Sequence, residues 1–432
     1  MIAGRGSSKS FLAGQRAPCP GSHAFTAMQP DAAALTQPVR YSSRLQWESA
    51  ENPLAAMRRQ LEGEGREVLD LTGSNPTGCG LGDWGDAIAA ALATPGSARY
   101  RPLAQGLPRS REAVAAHYAA LGVEVDPGRL MLTASTSESY SLLFQLLCDA
   151  GDEVLAPTPG YPLFEHLAGL AGVRLRTYGL RYAGEWMVDF AALEAALHPR
   201  TRAVLVVNPN NPTGGYLRQW ELDRLLALCA ARGLALIGDE VFWEYPLEAR
   251  GERTCLAAEV QSPALLFSLG GLSKSAGMPQ MKVGWMLARG PQAECQRALE
   301  RLRWIADTYL SVSTPAQEAL PDLLRVGSEI RAQIQQRLRT NLALVRRWAR
   351  RGRLVSALPV EGGWSVILRL PAAMDDQEWC RWLLGNAHVW VQPGYFYDLP
   401  GGPYVVLSLL TPPDALDAGL GRISKVVEEC AG

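Results

Sequence analysis

The sequence predicts an α/β protein: a mostly parallel central sheet covered by helices, with a smaller α+β unit closing the chain. Three observations predict it. Between residues 130 and 290, short strands that are apolar throughout alternate with helical segments, which is the composition of strands buried on both faces. Small and polar residues follow each of these strands directly, where open parallel sheets bind ligands. After 290 the chain turns helical and then ends in a strand–helix–strand–helix run over 364–429.

Composition narrows the function. With 432 residues the chain is too long for one small core, and one large domain with a smaller one is expected. A net charge of −1 argues against a nucleic-acid surface or a polybasic membrane patch. The eight cysteines show no C-x-x-C spacing, which suits reduced thiols in the cytoplasm rather than disulfides or zinc. The five histidines form no metal-ligand cluster. No apolar run approaches the ~18 residues of a membrane span.

Residues 1–40 are Ser-, Ala-, Gly- and Pro-rich, with no acid before Asp31, a composition that cannot build a core. They read as a disordered extension, with Met28 as an alternative start; a transit peptide is the other reading. A helix is expected at 53–63 and a strand at 68–71, ending in the turn Gly73-Ser74-Asn75-Pro76-Thr77-Gly78. Helices follow at 84–93 and 108–121. The alternating region then gives strands at 130–133, 153–156, 173–178, 203–207 and 234–238. Between them lie helices at 137–148, 162–171, 190–197 and 219–232. Apolar runs at 264–269 and 283–287 read as two more strands. Helices at 291–310 and 314–351 lead to strands 364–369 and 404–410, each followed by a helix.

The strand ends carry the candidate chemistry. Ser135-Thr136-Ser137 opens a helix, so it is either a plain N-cap or an anion site at the positive end of the helix dipole. Tyr161 sits on the stiff turn Pro159-Gly160-Tyr161-Pro162, either as a ring-stacking residue or as core. In Asn208-Pro209-Asn210-Asn211-Pro212 the prolines hold the preceding asparagines extended, which aims an amide rigidly. Asp239 ends a buried strand, where a carboxylate is costly unless paired. In Gly270-Gly271-Leu272-Ser273-Lys274-Ser275 small residues deliver one lysine, with a second cation, Lys282, eight residues on. A lysine desolvated there can lose its proton and form an imine; an ordinary surface lysine is the alternative.

Taken together, N-P-T-G, then D-E-V, then S-K with a cation eight residues later resemble the fold-type-I pyridoxal-phosphate enzymes, specifically the class I/II aminotransferases. The resemblance spans about residues 40–430. It implies a large cofactor-binding domain at 80–312 and a small α+β domain from 41–79 and 313–432. It implies that Lys274 carries pyridoxal 5'-phosphate as a Schiff base and shuttles the proton. Asp239 would meet the ring nitrogen, Asn211 the ring oxygen, and Tyr161 the ring face. Ser135, Thr136, Ser137, Ser273 and Lys282 would hold the phosphate. Tyr100, in Tyr100-x-Pro-x-x-Gly-Leu, would reach the cofactor phosphate of a neighbouring subunit, which implies a homodimer with shared active sites.

Four positions depart from the family pattern. Gly271 stands where the first serine of Ser-x-Ser-Lys is usual, Lys282 where arginine is usual, and Phe242 where a tyrosine hydroxyl would also bond the ring oxygen. Without that hydroxyl the Schiff base is expected to stay protonated to higher pH. Val406, in Tyr404-Val405-Val406-Leu407-Ser408, replaces the arginine that grips a substrate α-carboxylate, and the only arginine after Arg381 is Arg422. Either Arg44, Arg101 or polar loop groups bind the carboxylate, or the substrate lacks one there. Tyr395, Phe396 and Tyr397 line that pocket or pack the core. The expected activity is amino transfer from an amino donor to a 2-oxo acid or other carbonyl acceptor. The alternatives are a pyridoxal-phosphate lyase, cyclase or decarboxylase of specialised metabolism, and a non-catalytic regulator.

Overall fold

The computed structural model of the protein describes residues 39–45, 52–248, 251–310, 312–352 and 354–431. Apart from 39 and 40, the expectation for residues 1–40 lies outside the described residues. The chain divides into one unit ending at Ser43 and a second beginning at Arg44. In the first, residues 39–42 have no regular structure and are exposed. All that follows concerns the second.

Its elements run in chain order. Helix α1 (Pro53–Gly63) leads to β1 (Leu69–Asp70), α2 (Gly85–Leu92) and α3 (Pro108–Ala120). Next come β2 (Leu130–Thr133), α4 (Thr136–Leu147), β3 (Glu153–Thr158), α5 (Leu163–Leu170), β4 (Arg174–Tyr182) and β5 (Trp186–Val188). Then follow α6 (Phe190–Ala196), β6 (Thr201–Val207), α7 (Gln219–Arg232), β7 (Ala235–Asp239), β8 (Leu266–Gly271), α8 (Leu272–Ser275) and β9 (Gly284–Arg289). Helices α9 (Gln292–Tyr309), α10 (Thr314–Glu318) and α11 (Leu320–Arg351) precede β10 (Ser356–Ala357), β11 (Ser365–Arg369) and α12 (Asp376–Ala387). The chain closes with β12 (Val389–Trp390), β13 (Gln392–Pro393), β14 (Tyr404–Ser408) and α13 (Pro413–Ala431).

Eight strands form the large sheet in the order β2-β9-β8-β7-β6-β3-β4-β5. The pairs β8–β7, β7–β6, β6–β3 and β3–β4 are parallel; β9 runs antiparallel to both neighbours, and β5 to β4. Both faces are covered. Met131, Val154 and Leu205 pack against Leu143, Phe144 and Leu299 of α4 and α9, while Leu155, Val204 and Leu236 pack against Leu193, Leu222 and Leu225 of α6 and α7. Two-sided burial is why β6 from Ala203 to Val207 and β7 from Ala235 to Gly238 carry no polar side chain. A second, four-stranded antiparallel sheet has the order β10-β11-β14-β13. The short strands β5, β10, β12 and β13 escape the sequence reading, because two or three residues show no period. Among the described residues no helix is long and apolar enough to cross a membrane.

Candidate active site

A cavity of about 580 Å³ lies where the carboxyl ends of β6 and β7, at Val207 and Asp239, meet β13 and β14 of the small sheet. Parallel sheets place ligands at that end.

Asp239 and Glu240 close β7 side by side, and alternation along the strand gives them different jobs. Glu240 is buried and satisfied: the amides of Leu256 and Ala257, the Ser268 hydroxyl and the Asn208 amide all donate to it. Asp239, also buried, faces the cavity and accepts from the Tyr140 hydroxyl at 3.0 Å and the Val241 amide at 3.1 Å. Burial pushes its carboxyl above the usual range, with those two donors and Lys274 opposing. The arrangement calls for a cationic donor from the cavity side.

Lys274 rides on α8 directly after β8. The Tyr245 hydroxyl donates to its carbonyl at 2.5 Å, and Arg331 to the Ser275 carbonyl at 3.2 Å, which fix the turn. Its Nζ stands 4.7 Å from the Trp364 ring centroid and 5.6 Å from that of Phe242. Burial lowers its pKa to about 8, against the pull of Asp239.

The three asparagines near the carboxyl end of β6 divide their roles. Asn208 donates to Glu240 and to the Thr254 carbonyl, and Asn210 accepts from Thr213 and donates to the Pro159 carbonyl. Asn211 alone of the three lines the cavity, with Ser365 donating to its Oδ1 at 3.4 Å. Thr136 and Ser137 bring the first turn of α4 to the same cavity, where the leading amides of a helix have no partner within it. Backbone lies close behind that turn. A Cβ on Gly284 would sit 2.9 Å from the Ser135 carbonyl carbon, and one on Gly271 would sit 3.0 Å from the Gly284 Cα. The missing serine at 271 is thus a packing requirement, since Gly271 pairs with Gly284 in register.

The sequence model of the aminotransferase class I and II family matches residues 66–412. The chain belongs to that family. Glutamate-pyruvate aminotransferase AlaA of Escherichia coli is 27% identical over 290 residues, covering 66% of this chain and 71% of that one. Alanine aminotransferase of Mycobacterium tuberculosis is 30% identical over 277 residues, 62% of each chain. Among solved structures, alanine aminotransferase from Pyrococcus furiosus superposes with a TM-score of 0.81 over 90% of this chain and 100% of that one, at 24% identity, a likeness of fold. This class I and II aminotransferase has the fold-type-I architecture, depends on pyridoxal 5'-phosphate and transfers amino groups between small molecules.

The cavity of this aminotransferase fits the cofactor's chemistry: a half-desolvated amine, a buried acid short of one cation, an amide, and a helix N-terminus. Of the residues singled out from sequence, it gathers Lys274, Asp239, Asn211, Phe242, Tyr161, Thr136, Ser137, Phe396, Tyr397 and Val406. It does not gather the others. The Ser135 hydroxyl caps α4, accepting from the Glu138 amide at 3.2 Å. Ser273 does not line the cavity, and Lys282 is exposed at φ 51°, two residues before Gly284. Tyr100 is 73% exposed and lines a separate surface hollow. Arg44 donates to the Leu170 carbonyl at 3.1 Å, and Arg101 pairs with Glu318 at 3.5 Å. Tyr395 is exposed as well. Gly394–Tyr397 is a 3-10 turn, whose successive side chains point about 120° apart, and only Phe396 and Tyr397 face the cavity.

Sequence reasoning missed Tyr140, Trp364, Ser365 and Gln392, all of which line the cavity. Tyr140 lies on an ordinary helical stretch and carries no motif. Trp364 and Ser365 lie at the start of β11, an antiparallel strand whose amino end carries no sequence signal for a ligand.

Proposed function

We propose that Lys274 is the catalytic lysine of this aminotransferase and that Asp239, Asn211, Thr136 and Ser137 hold the cofactor around it. The convergence of Lys274 and Asp239 in one cavity, the amine with a lowered pKa and the acid short of a cation, carries the reading. Pyridoxal 5'-phosphate, when bound, supplies the electron sink for the pair left on the substrate carbon. Asp239, oriented by Tyr140, would pair with the cofactor's protonated ring nitrogen. Asn211, accepting from Ser365 on its oxygen, would offer its amide N–H to the ring oxygen. The first turn of α4 would hold the phosphate, with Ser135 capping that helix. Tyr161 would cover a ring face. Lys274 Nζ, near half-protonated at pH 8, takes the proton from the substrate carbon and returns it.

The donor is a small amino compound and the acceptor a 2-oxo acid or another carbonyl. We infer a cytoplasmic homodimer, in which Tyr100 serves the neighbouring subunit's cofactor, with a large domain at 80–312 and a small one from 41–79 and 313–432. The resemblance of Tyr100-x-Pro-x-x-Gly-Leu supports the dimer, and the cysteine usage supports the compartment.

Borohydride reduction of the loaded protein followed by peptide mapping tests the assignment. The cofactor mass is expected on the peptide carrying Lys274, and a different peptide would falsify the reading. In Lys274→Ala, single-turnover formation of pyridoxamine phosphate is expected to fall by about a hundred- to ten-thousandfold, the range of general acid–base contributions.

A further inference from the structure

We propose that the amino compound turned over here carries no carboxylate on its reacting carbon, and presents there an apolar or neutral hydrogen-bonding group. The inference rests on the aminotransferase reading and deepens it. Val406 occupies the centre of β14, is 2% exposed, and lines the cavity where the resemblance expects an arginine. Its register partners are Ile367 and Gln392, one apolar and one a neutral amide. Among the described residues that line the cavity, Lys274 is the one lysine or arginine, and His166 is the one other side chain there able to carry positive charge.

Within this chain, the two arginines that could have substituted lie outside its own cavity. Arg44 donates to the Leu170 carbonyl, Arg101 pairs with Glu318, and neither lines the cavity. A carboxylate entering beside Val406 would lose its hydration without gaining a cation, while Asp239 already puts one negative charge in the cavity. Neutral donors do converge. Gln392 accepts from the Tyr397 hydroxyl, which fixes its amide, whereas the Ser408 hydroxyl spends its proton on the Gly73 carbonyl. The indole Nε1 of Trp364, a residue 3% exposed, has no hydrogen-bond partner among the described residues. With Phe242 and Phe396 these groups suit an amine with an apolar or aromatic body. Over a full cycle the donor's C–NH2 becomes C=O, and the C=O of an acceptor that likewise lacks that carboxylate becomes C–NH2. Atoms and electrons therefore balance with no added oxidant.

The test uses the loaded enzyme and three compounds that differ at one position: phenethylamine, L-phenylalaninamide and L-phenylalanine. Cofactor conversion is read by mass in a single turnover, and binding of hydrocinnamide and hydrocinnamate by calorimetry. The two neutral donors are expected to react about tenfold or more faster than the amino acid, equivalent to at least ~1.4 kcal/mol. Hydrocinnamide should bind the tighter of its pair. Val406→Arg is expected to reverse both preferences. Equal or better turnover of L-phenylalanine by the wild-type enzyme, or tighter binding of hydrocinnamate, overturns the proposal. If no donor reacts, the calorimetric preference alone decides it. Failure of the catalytic assignment is seen separately, as cofactor mapping to a peptide without Lys274.

Discussion

Lys274 and Asp239 are each made unusual by the same burial, and each opposes the shift that burial imposes on the other. Desolvation disfavours the ammonium and the carboxylate alike, so the lysine's pKa falls as the acid's rises. The sign has a direct consequence. A lysine that titrates near 8 is about half neutral at pH 8, whereas an ordinary one, near 10.4, would be under about 1% neutral. Amine-selective labelling of the apoprotein, read by mass on the peptide carrying Lys274, should therefore rise with pH and reach half its maximal rate at about 8. A midpoint above about 10, the ordinary lysine range, would show that the cavity does not desolvate this amine. At this scale the sequence was legible where a side chain sits in a stiff turn or at a strand end, as with Asn211, Asp239 and Lys274. It was silent on Tyr140, since a helical tyrosine one turn past an N-cap reaches Asp239 only once the sheet has brought β7 beside α4. Periodicity cannot express a contact between residues 99 positions apart.

Elements of some length were legible for the same physical reason that they are stable. The central strands β3, β6, β7 and β8 are buried on both faces and therefore mostly apolar, and the expectation of helix 219–232 coincides with α7 (Gln219–Arg232), which ends on Gly233 at φ 64°. What the sequence could not express is how closely two elements approach. Gly271, where the family pattern has a serine, closes β8 against β9, with 3.0 Å between its hypothetical Cβ and the Gly284 Cα and 3.1 Å to the Val283 carbonyl oxygen. Both obstacles are backbone in a paired strand, which cannot swing aside. Gly271→Ser is therefore expected to destabilise the protein by about 1–3 kcal/mol, the cost of overpacking. The urea midpoint should fall with the slope unchanged. Because Gly284 also backs Ser135 and Thr136, the variant should bind pyridoxal phosphate more weakly than wild type, despite carrying the hydroxyl usual in the family. An unchanged midpoint with tighter cofactor binding would show that the strand pair yields and that the serine acts as a phosphate donor.

At the scale of the whole molecule the question is Tyr100, proposed above to serve a neighbouring copy and lying outside this chain's own cavity. It is 73% exposed beside Leu310, 63% exposed, and the two line one surface hollow of about 300 Å³ with Pro102 and Val312. Leu310 also holds φ 65°, an uncommon conformation for leucine, at the C-terminus of α9. An apolar hollow of this kind, held open on a rigid helix end, is the surface a second copy would cover. If the copy does so, Tyr100 is carried to the partner's cofactor phosphate, and assembly and cofactor retention become one equilibrium. Leu310→Asp places a charge in the hollow without changing any residue of the cavity. Light scattering should then give a dimer for wild type and a monomer for the variant, and the monomer should lose pyridoxal phosphate on dilution. Tyr100→Phe should leave the dimer intact while weakening cofactor binding by about tenfold, the cost of one charge-assisted hydrogen bond at ~1.4 kcal/mol. A dimeric Leu310→Asp would remove this hollow from the interface. A monomeric variant that keeps its cofactor would separate Tyr100 from the neighbouring site.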